Sequence, residues 1–184
     1  MSNIIRIDSF RSGDFHKCSN NGPGFRIIVW FSGCSHNCPG CHNKEEQNPK
    51  AGRPFTEEDI NFILTELEKS NYRGVSILGG EPFEPENQKV LLPLLERIHQ
   101  QLLQKNVWIY TGYLFDADLS RGGKCYLDGI TDKILTLTDV LVDGRFILDK
   151  ADVSLNYRGS SNQRIILVPQ SLAQHKIVLS PYNN

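Results

Sequence analysis

The sequence predicts an α/β fold with a mostly parallel sheet. Short apolar, β-rich runs recur at residues 25–31, 74–78, 107–111 and 140–142. Amphipathic helical patterns lie between the first three of them. Each run also passes directly into a polar or glycine-rich stretch. Strands alternating with helices imply βαβ units. In such folds ligands collect beyond the carboxyl ends of the strands. Four loops are therefore expected on one rim: the one after Phe31, Gly79-Gly80-Glu81-Pro82, Thr111-Gly112-Tyr113, and Asp143-Gly144-Arg145.

Taken in order, residues 4–10 form the first strand candidate. Residues 25–31 are apolar apart from Arg26, the profile of a strand buried on both faces. Asn21-Gly22-Pro23-Gly24 ahead of it has the composition of a turn. Thr56-Glu57-Glu58-Asp59 resembles a capping box with Asp in the third position. The helix it opens carries Ile60, Ile63, Leu64 and Leu67 on one face. After the 74–78 strand, a second helix carries Leu91, Leu94, Leu95, Ile98 and Leu102. The strands at 107–111 and 140–142 follow, with a surface turn at residues 121–124 between them. Residues 164–168 and 176–180 are the last strand candidates.

The 184 residues suit a single domain with its own core, spanning 1–184. Twenty basic against 21 acidic residues give a net charge of −1, which favours neither nucleic acid nor an anionic membrane as a partner. The longest strongly apolar run, residues 27–31, is far too short to span a bilayer. The N-terminus lacks a signal-peptide pattern, so a cytoplasmic, reducing location is expected. Five cysteines, three of them within eight residues, make a poor disulfide framework.

Those three stand in Cys34-Ser35-His36-Asn37-Cys38-Pro39-Gly40-Cys41, spaced C-x3-C-x2-C with no fourth cysteine at matching spacing. Three thiolates can hold three irons of a cubic [4Fe–4S] cluster and leave the fourth open to a substrate. Zinc is the alternative, with Cys18, His36 or His42 as fourth ligand. Gly79-Gly80-Glu81-Pro82 reads either as a turn or as a ligand site. In the second reading the glycines admit a ligand to the backbone, and Glu81 faces its ammonium group. Residues 158–164 read equally as a solvated loop or as a functional one, whose Arg158 and Arg164 bind a carboxylate or an acidic partner surface. Cys18 and Cys125 are expected to be incidental thiols, and Trp30, Phe31 and Trp108 core residues. His99 is expected to be solvated, and His16 and His175 belong to no constellation.

C-x3-C-x2-C followed by Gly-Gly-Glu-Pro resembles the radical S-adenosylmethionine enzymes. Within them the chain is similar to the activases of anaerobic (class III) ribonucleoside-triphosphate reductase. The resemblance rests on Asn21-Gly22-Pro23-Gly24, Ser32-Gly33-Cys34, Cys38-Pro39-Gly40-Cys41-His42-Asn43, Pro54-Phe55-Thr56, Tyr110-Thr111-Gly112-Tyr113, Val140-Leu141-Val142-Asp143-Gly144 and Arg158-Gly159-Ser160-Ser161-Asn162-Gln163. His42 stands where the family more often has Tyr, and Trp30 where Phe is usual.

The resemblance implies a shortened, open (β/α) partial barrel as a single radical SAM domain. Its core is about residues 21–168, with an N-terminal strand and a C-terminal tail appended. It makes Cys34, Cys38 and Cys41 the ligands of one [4Fe–4S] cluster. It places Gly40, Cys41 and His42 beside the adenosine of S-adenosylmethionine, and Gly79, Gly80 and Glu81 at the methionine end. No further side chain is expected to be catalytic. The implied activity is reductive cleavage of S-adenosylmethionine to methionine and a 5′-deoxyadenosyl radical, which takes a hydrogen atom from a glycine of the reductase. The implied partners are that reductase and a flavodoxin-like reductant, with a homodimer also compatible. A pyruvate formate-lyase-type activase and a non-catalytic zinc-binding interaction module are the alternative readings.

Overall fold

The computed structural model describes residues 3–8 and 21–183 and, within the first stretch, only the Ile4 side chain. Cys18, His16 and the end of the 4–10 strand expectation fall outside the described residues. The strands are β1 (Asn3–Asp8), β2 (Phe25–Phe31), β3 (Arg53–Pro54), β4 (Tyr72–Gly79), β5 (Asn106–Tyr110), β6 (Val140–Asp143) and β7 (Arg164–Leu167). The helices are α1 (Glu57–Leu67), α2 (Pro85–Gln101), α3 (Thr131–Thr136) and α4 (Val168–Gln174). The sheet runs β3-β1-β2-β4-β5-β6-β7. Its centre, β2-β4-β5-β6, is parallel, so the carboxyl ends of those four strands share one rim. β1 joins β2, and β7 joins β6, in the antiparallel sense.

The helices pack on one face of this sheet. Ile27, Val29 and Phe31 of β2, Val75 and Ile77 of β4, Val107 and Ile109 of β5 and Leu141 of β6 form one core with Ile60, Ile63, Leu64, Leu91, Leu94, Leu95 and Ile134. Each such fully buried aliphatic side chain is worth about 1.5–3 kcal/mol relative to exposure. The alternate residues face the other side, where Trp108, Val140, Val142 and Ile165 form a smaller cluster joined by Tyr110 and Tyr157. Tyr157 and Tyr182 close over Trp108 edge-on or tilted, at 5.5 and 6.4 Å.

Arg26 also lies on that second face and is fully buried. Its guanidinium donates to Ser76 Oγ, Asn106 Oδ1 and the Val75 carbonyl, each at 2.7 Å. It also sits 5.5 Å from the Trp108 ring centroid. Burial lowers its pKa to about 10. The polar residue in an otherwise apolar strand is thus a satisfied core cation.

The first two helices, the described part of β1, and β2, β4, β5, β6 and β7 agree with expectation to within a residue or two; the two-residue β3 was not foreseen, and 176–180 differs. That segment forms a single bridge, Ile166↔Leu179, flanked by bonds from Leu167 N to Val178 O and from Ser180 N to Ile165 O. The helices α3 and α4 were not foreseen, being too short to display a period. Among the described residues no helix is long and apolar enough to cross a membrane.

Candidate metal centre

The chain leaves β2 and turns at Ser32-Gly33, with Gly33 at φ +89°. Gly33 N–H donates to Glu46 O at 2.7 Å, and Cys34 N–H to Gln47 O at 3.2 Å. Asn37, at φ +47°, and Gly40, at φ +72°, take the left-handed conformations that curl the loop back on itself. A Cβ on Gly40 would stand 2.8 Å from Leu148 Cδ1, so the loop packs backbone-first against residue 148. Cys34, Cys38 and Cys41 are half-buried free thiols. Burial pushes the Cys34 thiol up to about 12.

The residues present fit an iron–sulfur cube. Among the described residues no three His, Cys, Asp or Glu side chains converge on one ion. A cube takes one thiolate per iron, so its ligands need not meet at a point. Of the fourth ligands considered for zinc, His36 alone has a side-chain hydrogen bond among the described residues. The His36 ring is bonded to Glu81, His42 packs edge-on to Phe146 at 5.8 Å, and Cys18 is outside the described residues. Cys125 is buried, and burial raises its thiol pKa.

The four expected loops do meet. Gly80 N–H donates to Phe31 O and Glu81 N–H to Gly33 O, both at 2.8 Å, which staples the β4 loop to the cysteine loop. A Cβ on Gly79, at φ +113°, would lie 2.3 Å from Phe31 O; one on Gly80 would lie 2.4 Å from Gly33 O. The paired glycines therefore admit the backbone of the cysteine loop. The Gly79 carbonyl is further engaged by Asn43 Nδ2 at 3.0 Å.

Glu81 is 1% exposed. Its Oε1 accepts from Thr111 Oγ1 at 2.7 Å and Phe83 N–H at 2.9 Å. Its Oε2 accepts from Gly112 N–H at 2.8 Å and lies 3.0 Å from His36 Nε2. Sequence reasoning had offered this carboxylate to a ligand; here it is spent tying the loops after β2, β4 and β5 together. From the β6 loop, Arg145 Nη2 donates to His36 O and Gly144 N–H to Tyr113 O. Asp143 is fully buried, accepting from Phe115 N–H at 2.8 Å and from Arg164. Gly40 and His42 stay exposed beside the thiols.

The arginines of residues 158–164 bind within the chain. Arg158 donates to Gln163 O at 3.0 Å and to Asn183 Oδ1 at 2.8 Å. Arg164 bridges Asp143 and Asp116, which holds its pKa above the ordinary guanidinium value. Sequence reasoning put the loops of Thr111, Gly112 and Arg145 on this rim and weighed His36 only as a zinc ligand; it missed His36, Thr111 and Gly112 as partners of Glu81, and Arg145 as the donor to His36. Their only sequence signal is position: each sits in a loop that follows a parallel strand.

The profile of the 4Fe-4S single cluster domain matches residues 20–166. The anaerobic ribonucleoside-triphosphate reductase-activating protein of Escherichia coli K12 is 39% identical over 145 residues, which cover 78% of this chain and 88% of that protein. The protein of the same name from Pasteurella multocida is 41% identical over 147 residues, covering 79% and 89%. That from bacteriophage T4 is 31% identical over 145 residues, covering 79% and 85%. The cysteine loop and the three loops packed on it lie inside the matched span, and the chain belongs to the anaerobic ribonucleoside-triphosphate reductase-activating protein family, built on a 4Fe-4S single cluster domain.

Proposed function

We propose that this protein activates an anaerobic ribonucleoside-triphosphate reductase by generating its glycyl radical. The carrying observation is the loop of three free, half-buried thiols at the rim of a parallel sheet, in a chain of this family. Cys34, Cys38 and Cys41 would hold the cluster. Bound there, a [4Fe–4S] cluster supplies one electron and an iron with an open position.

The substrate of that electron is S-adenosylmethionine, cleaved to methionine and a 5′-deoxyadenosyl radical that abstracts hydrogen from a glycine of the reductase. Gly40, Cys41 and His42 would lie along the adenosine; the exposure of Gly40 and His42 supports this. Gly79, Gly80 and Glu81 would form the methionine end, with Glu81 acting through the loops it ties. Parallel strands with helices on one face support a shortened, open (β/α) barrel as a single radical SAM domain. A flavodoxin-like reductant suits the single-electron demand.

The test is anaerobic reconstitution with iron and sulfide, reduction, and addition of S-adenosylmethionine. A brown protein yielding 5′-deoxyadenosine supports the reading. A colourless protein that retains zinc and forms none contradicts it.

A further inference from the structure

His36 lies midway between two of the three thiols, and residues from all the other rim loops fasten on it. Its side chain is 6% exposed, with the ring 4.3 Å between centroids from Tyr113 and Nε2 3.0 Å from Glu81 Oε2. The other three partners of Glu81 are donors, so His36 donates through Nε2–H, a tautomer assigned from the network. The carbonyl of His36 accepts from Arg145. A Cβ on Gly112 would stand 2.5 Å from the imidazole, so the β5 loop closes on the ring only because Gly is there. The neighbouring residue is fastened too: Ser35 N–H donates to Glu84 Oε1 at 2.8 Å, and Ser35 Oγ lies 3.3 Å from Tyr113 Oη.

A loop with Asn37 in the left-handed region and thiols four residues apart has no regular structure to set their spacing. We propose that His36 is a positioning residue: its bond to Glu81 fixes the 34–38 span against the β4 and β5 loops, and so fixes where the thiols that would hold the cluster stand relative to the Gly79–Gly80 rim. This rests on the proposed function, since it presumes a cluster and S-adenosylmethionine. Glu81 then serves ligand binding through His36 rather than by direct contact.

The experiment compares parent, His36→Ala, His36→Gln and Glu81→Gln after anaerobic reconstitution. Three quantities are read: iron content, the S-adenosylmethionine concentration that half-converts the resonance spectrum of the reduced cluster, and the melting temperature of the cluster-free protein. His36→Ala and Glu81→Gln are expected to raise the half-converting concentration about tenfold, in the range seen when groups that orient metal ligands are removed. His36→Gln keeps an N–H donor near the Nε2 position and is expected to restore most of it. A bridge that merely packs would lower the melting temperature and leave the titration of folded, cluster-loaded protein unchanged, which overturns the proposal. If His36→Ala does not fold, the Glu81→Gln and His36→Gln pair decides by the same titration. A parent that takes up no cluster overturns the proposed function, and this proposal with it.

Discussion

At the scale of single residues, Cys38 and Glu81 make opposite kinds of contribution. Cys38 is half-buried, and its one described bond is made by its backbone carbonyl to Cys41 N–H, so Cys38→Ala should leave the fold intact. It should abolish cluster uptake and reductase activation; iron analysis and the glycyl-radical signal check this, and normal activation would refute the ligand assignment. Glu81 is buried under four donors. Glu81→Ala orphans them and should destabilise the cluster-free protein by about 3 kcal/mol in urea unfolding. A loss under about 1 kcal/mol would mean that water replaces the carboxylate without cost. The motif announced the thiols and Glu81, but not the partners of Glu81. His36 and Thr111 stand 45 and 30 residues away, and only the sheet register brings them to it.

At the scale of elements, α1 and the β4 loop are the informative pair. Thr56 N–H donates to Asp59 Oδ2 at 2.9 Å, the returning arm of a capping box. Arg53 grips the same carboxylate through both Nη atoms, at 2.7 and 2.5 Å. The Arg53 bonds, foremost, hold the Asp59 carboxyl below its ordinary value. Its stabilisation is therefore full above the unfolded value of about 4 and is lost as pH falls through the lower folded value. Asp59→Ala should cost about 1–2 kcal/mol at pH 7 and much less at pH 2, measured by urea unfolding. An equal cost at both pH values would contradict the sign. Gly80→Ala should cost about 2–3 kcal/mol, because its Cβ meets the Gly33 and Glu46 carbonyls, not a flexible side chain. The capping box and the apolar stripes were legible because they are local. Gly80 was read as a close approach, and the structure shows one to the Gly33 and Glu46 carbonyls; sequence could not name that backbone, because the contact is set by the packing of two loops.

At the scale of the whole molecule, the parallel centre and its loop-bearing rim follow from the alternation of strands and helices. The closure of the second face does not. Tyr157 and Tyr182 pack edge-on or tilted against Trp108 from separate segments, and Arg158 ties Asn183 to the β7 edge. These polar and aromatic residues carry no periodic signal, so a loop read as evenly poised between solvent and function is in fact an internal clamp. The result is a molecule with helices on one face, a clamped tail on the other and the thiol loop at the rim.

The most direct test of that account is to incubate the reduced, cluster-loaded protein with S-adenosylmethionine and the family's anaerobic reductase, and to record the paramagnetic resonance spectrum. The account predicts a glycyl-radical signal on the reductase, with methionine and 5′-deoxyadenosine formed alongside and none of these with Cys38→Ala. Cleavage of S-adenosylmethionine without a radical on the reductase would contradict the partner. No cleavage by protein that holds its full iron would contradict the chemistry.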